Sequence, residues 1–590
     1  MVRGKLLVGL CLLAGSASVS VPAQAQESDS TGHILRLTIR GQVFEIDPPF
    51  QLFGNILGAN LRTLVERIDE ARDDATVSSL LLRLENPSAS VAQRHALRRA
   101  LLRFRRSGKP SYCFMEQASG ADYLVASACN EVSMLPTGMM QIAGISFQLL
   151  YMKGLFDQLG IEFQELRMGR YKSAVESLTR KDPSPGQVEQ MNSLVDALYE
   201  DLVAAVAENR RVSPLKVRSL VDQAMFTARE AHEAGLIDRL EYPDQFLARI
   251  RGVGDAQKKI VTAQTGRKLE FDISGFSGMI QLMNQILGGK KRRSSMKPKI
   301  ALVYGVGPIT TKASEDALFG GNQLTSEEMV GLLRKLREDT TVQAVVFRVN
   351  SPGGSAIASD LIRREVAEIA KVKPVVVSMG ALAASGGYYI SCPASWIVAE
   401  STTLTGSIGV IGAVANFRKL SDKLGLRFAS FHRGKRADMI SPYGELSAEG
   451  YAVIIHQLKA IYDDFITHVA AGRSLEPSAV EAIAEGRVWT GGQALRLGLV
   501  DEVGGLRDGL ARARELAKLP EDIEVVVLPE PKQLIDILQR SGISLKPMRA
   551  FVEALPRRTR ELLEQMAWVH DLTRERAFLA APHAFDLRVE

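Results

Sequence analysis

The sequence predicts an α/β protein in which one domain has been duplicated in tandem. Similar segments recur at a nearly constant spacing along the 590 residues, and within each copy short apolar runs alternate with amphipathic stretches. Two glycine-rich turns in the second copy each follow an apolar run. We therefore expect functional residues in these turns to lie at the ends of strands.

The duplication is visible in paired segments. Residues 77–87 read VSSLLLRLENP and residues 342–352 read VQAVVFRVNSP, an offset of 265. Residues 226–238, FTAREAHEAGLID, match WTGGQALRLGLVD at 489–501 with an offset of 263. Offsets that agree this closely over roughly 150 residues indicate two copies of one unit.

Each copy has the same order of elements, strand, helix, strand, helix, strand, which predicts βαβ units with right-handed crossovers. The predicted elements are 34–39, 61–71, 79–84, 93–104 and 111–115 in the first copy, and 299–304, 325–337, 344–349, 359–370 and 374–378 in the second. Each copy then ends with a long helix, such as 448–471, and a strand-like Gly-Leu-Ile-Asp or Gly-Leu-Val-Asp.

The N-terminus has the three parts of a secretory signal peptide. Arg3 and Lys5 precede an apolar run, 6–19, and Ala23-Gln24-Ala25 supplies a small-residue cleavage site. We therefore expect an exported protein cleaved after residue 25, with an uncleaved membrane anchor as the alternative.

The patterns divide the chain into a signal peptide or retained anchor at 1–25, an N-terminal repeat at 33–250, a linker at 251–298, a C-terminal repeat at 299–528 and an extension at 529–590. The linker contains an apolar helix face at 273–287, followed by four basic residues at 290–293. This pattern fits an interfacial helix beside anionic lipid, or a helix packed on protein with a solvated basic run.

Composition argues against several classes of protein. The net charge of +6 is small for this length and does not indicate a nucleic-acid partner. The three cysteines after the predicted signal segment, Cys113, Cys129 and Cys392, are too few for a disulfide framework and are expected to be buried. No histidine, cysteine and carboxylate cluster has zinc spacing, so we expect neither a metal nor another cofactor.

The glycine-rich turns at 350–355 and 383–387 suggest an oxyanion site. Ser385 lies at a predicted strand-to-helix turn, where free backbone N–H groups can stabilise negative charge. The N–H groups of Gly354 and Gly386 are the candidate donors. The alternative is two tight turns in which Ser385 only caps a helix.

Four motifs stand out in the chain: GRYKSAVE (169–176), RVNSPGGS (348–355), MGALAASGGYYIS (379–391) and TLTGSIGV (403–410). As a set they resemble the signal peptide peptidase A (protease IV) family in its long, two-repeat form, whose wider relatives have the Clp protease and crotonase folds. The resemblance implies a tandem duplication of a Clp protease/crotonase-like domain. It implies a serine endopeptidase that degrades cleaved signal peptides, with Ser385 as nucleophile and Lys172 as general base.

The same resemblance implies a homo-oligomer, a tetramer, in the bacterial periplasm or at the outer face of the inner membrane. The expected partners are hydrophobic peptide substrates and a membrane surface. Two alternatives remain at this point: a crotonase-like acyl-CoA enzyme, which an export signal disfavours, and a non-catalytic scaffold.

The repeat alignment supports the dyad independently of the motifs. At the offset of 265, Ser385 falls on Gly120, and Lys172 falls on Ala437. Each copy therefore lacks the group that the other carries. We expect neither copy to be active alone, because one cleft must unite groups from both.

A lysine acts as a base only when burial lowers its pKa and no carboxylate pairs with it. Glu176, about one helical turn from Lys172, could oppose this by forming a salt bridge. Ser407 is a candidate for orienting the amine, with a turn serine as the alternative. Lys435 is the reserve base, and His432 lacks a motif for a histidine triad.

Overall fold

The computed structural model describes residues 32–46, 58–252, 257–263, 297–313, 322–529 and 578–580. The predicted signal segment 1–25, the apolar helix at 273–287 and most of the extension lie outside these ranges. Among the residues so described, no helix is both long and apolar enough to cross a membrane.

The first half contains the strands His33–Phe44, Gly58–Asn60, Val77–Ser88, Ser111–Met115, Ala118–Ser119, Glu131–Met134, Met139–Gln141, Glu162–Met168, Met225–Thr227, Arg239–Leu240 and Ile260–Thr262. Its helices are Leu61–Asp73, Val91–Arg106, Gly120–Ala126, Lys153–Leu159, Glu176–Thr179, Pro185–Arg210, Pro214–Gln223, Ala228–Glu233 and Pro243–Arg251.

The second half contains the strands Lys299–Val306, Ile309–Thr310, Leu324–Thr325, Val342–Ser351, Gly353–Ser355, Val375–Ala384, Trp396–Ala399, Leu404–Gly406, Val410–Asn416, Val488–Thr490, Glu502–Val503 and Glu524–Leu528. Its helices are Ser326–Glu338, Ala356–Ala370, Gly386–Ser391, Arg418–Lys423, Ala448–Arg473, Pro477–Ile483, Gly491–Arg496 and Leu506–Leu516. A further strand, Phe578–Ala580, comes from the C-terminal extension.

The two halves have the same strand pairing at the centre of their sheets. In each half, the strand that opens the repeat (His33–Phe44 or Lys299–Val306) pairs in parallel with the strand that carries the repeat motif (Val77–Ser88 or Val342–Ser351). Helices cover these sheets, so the central strands read as continuous apolar runs. The predicted tandem α/β fold is therefore correct.

One detail of the sequence prediction was wrong. Gly-Leu-Ile-Asp and Gly-Leu-Val-Asp form turns, and the strands Arg239–Leu240 and Glu502–Val503 begin just after them. Gly235 and Gly498 have positive φ values of 78° and 72° and end the preceding helices. The apolar residues that follow the glycines are buried because the turn enters the core, and this burial imitates a strand pattern.

A third sheet joins the two halves. The strand Glu162–Met168, here called the lysine strand, leaves the first half and pairs antiparallel with Val410–Asn416, the seam strand of the second half. The pairing is continuous from Val410 opposite Met168 to Asn416 opposite Glu162. The residues that follow the lysine strand are thereby carried onto the second half.

A buried ion pair also links the halves. The Arg348 guanidinium donates to both carboxylate oxygens of Glu45, at 3.0 and 3.1 Å, and the two residues are only 3% and 7% exposed. Arg348 also donates to Ser378 Oγ and to the Met379 carbonyl oxygen. The strand ahead of the glycine-rich turn is thus tied to the first half.

We expect Glu45→Ala to lower the free energy of unfolding by about 3–5 kcal/mol, because it leaves the Arg348 charge buried and unpaired. The control is Glu70→Ala, which removes an exposed partner of Arg67 and should cost about 0.5 kcal/mol or less. The measurement is the urea midpoint of the first unfolding transition. Equal losses for the two variants would contradict the importance of the buried pair.

Candidate active site

Ser385 lies at a strained turn between a strand and a helix. It follows the strand Val375–Ala384 and immediately precedes the helix Gly386–Ser391. Its backbone has φ 55° and ψ −116°, a conformation that costs an L-residue about 1–3 kcal/mol. The turn is held by a 2.8 Å hydrogen bond from the Ser385 N–H to the Gly406 carbonyl. The side chain is fully buried.

Lys172 reaches Ser385 from the other half. It lies in residues 169–175, the lysine loop, directly after the lysine strand. Its Nζ lies 2.6 Å from Ser385 Oγ, 2.9 Å from Ser407 Oγ and 2.8 Å from the Ser407 carbonyl oxygen. Ser407 therefore contacts the amine through two oxygen atoms.

The environment of Lys172 favours the neutral amine. The side chain is 1% exposed, and burial lowers its pKa well below the ordinary value. A neutral amine has two N–H donors, which suit the two Ser407 oxygens, and one lone pair. That lone pair can accept the proton of the Ser385 hydroxyl.

Glu176 does not pair with Lys172. Its carboxylate accepts hydrogen bonds from Arg167 at 2.8 Å and from the N–H and hydroxyl of Ser184 at 3.0 and 2.7 Å. The carboxylate that could have kept the amine protonated is thus satisfied by other groups.

The two candidate oxyanion glycines lie side by side. Gly354 has φ 151°, and a Cβ added there would lie only 2.1 Å from the Ile309 carbonyl oxygen. A Cβ added at Gly386 would lie 3.2 Å from the Gly354 backbone nitrogen and 2.6 Å from Ser359 Oγ. Glycine at 354 is therefore required by the neighbouring Ile309 backbone, and glycine at 386 leaves room for Ser359 and for the Gly354 backbone beside Ser385.

The reserve candidates lie elsewhere. The Lys435 side chain is 77% exposed and pairs with Glu449 at 3.1 Å. His432 is also exposed and lies beside Asp438. In the first half, Gly120 begins the helix Gly120–Ala126 and offers no hydroxyl.

The sequence analysis missed Gly486, which supports the lysine loop. A Cβ at this position would lie 2.6 Å from Lys172 Cβ, so a larger residue would push the lysine away. The flanking carbonyls of Glu485 and Arg487 accept hydrogen bonds from the N–H groups of Tyr171 and Ser407, at 2.8 and 2.7 Å. The repeat comparison could have indicated Gly486, because the first copy has no glycine at the position that either repeat offset, 265 or 263, matches to it.

Comparison with known proteins identifies the family of this chain. The model of peptidase family S49 matches twice, at residues 103–256 and 367–520, which is more than half of the chain. The fold and the repeated match define the class of protein, a two-repeat serine peptidase. The chain belongs to peptidase family S49.

Named relatives align over most of the chain. The chloroplastic serine protease SPPA of Arabidopsis thaliana is 31% identical over 87% of this chain and 74% of its own length. Protease 4 of Salmonella typhi is 34% identical over 80% of this chain and 75% of its own length. Among solved structures, a membrane-bound stomatin-specific protease covers 40% of this chain and 99% of its own, at 16% identity and a TM-score of 0.26.

The depressed Lys172 pKa predicts a pH-dependent stability. In the unfolded chain the lysine has its ordinary pKa, near ~10.4, so between the folded and unfolded values only the unfolded state binds the proton. Stability of the wild type should therefore rise with pH across this window, and Lys172→Met should flatten the rise. The measurement is the urea midpoint from about pH 6 to about pH 9.

The matched control is Lys435→Met, which alters an exposed lysine and should leave the slope unchanged. If Lys172→Met and the wild type gave parallel curves, the amine would not be neutral in the folded protein.

Proposed function

We propose that this peptidase is an endopeptidase with a Ser/Lys dyad, in which Ser385 is the nucleophile and Lys172 the general base. The observation that carries the proposal is the 2.6 Å contact between Lys172 Nζ and Ser385 Oγ, in a site shielded from water. A base within hydrogen-bond reach of the hydroxyl is the geometry that nucleophilic catalysis needs.

In this mechanism Ser385 Oγ attacks the scissile carbonyl carbon while its proton passes to Lys172. The N–H groups of Gly354 and Gly386 stabilise the negative oxygen of the tetrahedral intermediate. Lys172 then gives the proton to the leaving amine. A water molecule, deprotonated by the same amine, hydrolyses the acyl-enzyme, while Ser407 keeps the amine aligned.

The proposed substrates are cleaved signal peptides and other short hydrophobic peptides at or near the membrane. The strand Gly353–Ser355, here called the glycine strand, lies opposite the seam strand in the third sheet. An extended peptide can bind between them by backbone hydrogen bonds. Ile357 and Leu361, one helical turn apart on the next helix, are 70% and 44% exposed and offer apolar contacts for its side chains.

We place the mature protein in the bacterial periplasm or at the outer face of the inner membrane. The basis is the signal-like sequence of residues 1–25, which lies outside the described residues.

The dyad is tested with a fluorophosphonate probe and a hydrophobic signal-like peptide. We expect the wild type to be labelled, and Ser385→Ala to lose labelling and, on the order of 10⁶-fold, peptide hydrolysis. Lys172→Ala should lose hydrolysis to a similar extent, whereas the exposed control Lys435→Ala should remain active. Labelling of Ser385→Ala, or unchanged hydrolysis by Lys172→Ala, would refute the assigned roles.

We further propose that the protein is a homo-oligomer, a tetramer, whose protomers meet as its own two halves do. At the repeat offset, the lysine strand corresponds to residues 427–433 of the second half. The seam strand corresponds to residues 145–151 of the first half. A head-to-tail contact between these two segments of neighbouring copies would repeat the internal seam. Such a contact forms a closed ring when its rotation is a whole fraction of a turn, one quarter for a tetramer.

Neither segment belongs to a sheet in the described chain. Each also exposes apolar side chains: Phe431 is 92% exposed and Leu150 is 61% exposed. In the internal seam, Leu166 occupies the position that corresponds to Phe431 and is 2% exposed. Burial by a neighbouring copy would remove the apolar surface at both segments.

We expect Phe431→Asp to dissociate the oligomer, because a carboxylate would be buried in the contact. Leu215→Asp is the control, since Leu215 is 78% exposed and lies outside both segments. The measurement is molar mass by light scattering, with fluorophosphonate labelling to verify the fold. A Phe431→Asp variant with the wild-type oligomeric mass would contradict this contact, and a monomeric wild type would contradict the oligomer.

A further inference from the structure

Arg487 lies outside the dyad but contacts the lysine loop. Its guanidinium donates to Glu189 Oε1 at 2.9 Å and to the Tyr171 hydroxyl oxygen at 3.3 Å. The Tyr171 hydroxyl donates to the same Glu189 oxygen at 2.8 Å. Tyr171 directly precedes Lys172 in the chain. The side chains of Tyr171, Glu189 and Arg487, here called the arginine latch, therefore form one hydrogen-bonded group beside the lysine.

The Arg487 guanidinium also lies between two aromatic rings. Its central carbon is 4.8 Å from the centre of the Tyr171 ring and 4.5 Å from that of the Trp489 ring. Both distances suit cation–π contacts, and the bond to the Glu189 carboxylate is charge-assisted. The arginine therefore packs against Tyr171 as well as hydrogen bonding to it.

The backbone around Arg487 supports both neighbours of the amine. The Arg487 carbonyl oxygen accepts a 2.7 Å hydrogen bond from the Ser407 N–H, and Ser407 contacts Lys172 Nζ through two oxygens. The Glu485 carbonyl oxygen accepts a 2.8 Å hydrogen bond from the Tyr171 N–H. A single short segment of the second half thus contacts the residue before Lys172 and the residue that binds its amine.

The latch depends on contact between the two halves. Glu189 lies on the first-half helix Pro185–Arg210, whereas Arg487 lies in the second half. Next to them, Gln190 Oε1 accepts a 2.8 Å hydrogen bond from the Val488 N–H, in a position where Gln190 is 1% exposed. The helix is therefore docked on the segment that supports the lysine.

The repeat comparison separates the latch from the needs of the fold. The helix Ala448–Arg473 corresponds to the helix of Glu189 at an offset of 263, and it has Ala452 at the matching position. At the same offset, Ala224 corresponds to Arg487. Both copies form the helix and the strand that follows the arginine position, so these elements do not require the latch. The latch residues belong to the seam that carries the proposed base.

We infer that Arg487 is a positioning residue for the general base. Through Tyr171 and Ser407, it holds Lys172 Nζ at the Ser385 hydroxyl and keeps the amine shielded from water. The inference rests on the proposed function, because it assigns Arg487 a role in the reaction of the Ser/Lys dyad. Arg487 acts through its neighbours, since a guanidinium is not a proton acceptor at ordinary pH.

Hydrolysis of a hydrophobic signal-like peptide by Arg487→Ala is the first test. We expect kcat to fall about 10²-fold with KM within about twofold, because a displacement of about 1 Å at a reacting group costs this much. The matched control is Arg496→Ala, which removes an exposed arginine at the end of the helix Gly491–Arg496 and should keep the wild-type kcat. Arg487→Lys keeps the charge but not the planar fork, so it should recover roughly tenfold of the loss.

The pH profile distinguishes positioning from a general loss of structure. The charged side chains around the lysine loop form two groups, Glu165 and Glu176 with Arg167, and Glu189 with Arg170 and Arg487. Removal of Arg487 admits water and leaves Glu189 less neutralised, and both effects raise the pKa of Lys172 towards its ordinary value. Because the base works as the neutral amine, the rise of kcat/KM with pH should move to higher pH in Arg487→Ala. It should stay in place in Arg496→Ala.

The same change should appear without substrate. The folded-state pKa of Lys172 lies below its unfolded value, so stability rises with pH between the two values. A higher folded-state pKa in Arg487→Ala moves the onset of this rise in the urea midpoint to higher pH. Tyr171→Phe, which keeps the ring and loses only the hydroxyl, should show a smaller shift in the same direction.

Wild-type kcat and pH profile in Arg487→Ala would overturn the inference and leave the dyad standing. A lower kcat at an unchanged pH profile would also overturn it, because Arg487 would then serve only the fold. If Arg487→Ala does not fold, the pH shifts of Arg487→Lys and Tyr171→Phe decide in the same way. A wild type that neither reacts with a fluorophosphonate nor cuts the peptide would instead refute the proposed function, so the two failures are distinguishable.

Discussion

Burial of the Lys172 amine is the constraint on which the rest of the site depends. The amine can act as a base only if it is shielded from water and has no carboxylate partner. In this protein, backbone and hydroxyl groups surround the amine and occupy the nearby carboxylate. Ser407 supplies two oxygens to Nζ, while Arg167 and Ser184 bind Glu176. A lysine carried on an exposed loop would remain protonated, so the proposed chemistry depends on the seam between the halves.

At the seam between the two halves, backbone segments pack closely against each other. Gly486 lies against Lys172, and Gly169 lies against Glu485, in each case with no room for a Cβ. At Gly409 an added Cβ would lie 2.9 Å from both the Met168 carbonyl oxygen and Gly486 Cα. Such contacts exclude water without adding side chains that could pair with the amine.

The candidate site takes residues from both copies, and polar contacts between the copies hold these residues in place. A site assembled from two halves loses its geometry if the halves move by about 1 Å. The buried pair of Arg348 with Glu45 fixes the strand ahead of the glycine-rich turn. Arg99 donates to Glu400 at 2.6 Å, and Ser401 donates to Asp201 at 2.6 Å, so further contacts hold the second half against the first.

The sequence by itself determined the duplication, the α/β class and the complementary loss of Ser385 and Lys172 equivalents, because periodicity and a constant offset are local properties of the chain. Only the tertiary structure decided that the lysine strand crosses to the seam strand, that Glu176 turns to Arg167, and that Gly486 must be a glycine. It also decided that the apolar run after Gly498 enters the core as a turn. These features are contacts between distant segments, and residue spacing does not encode which backbones approach each other.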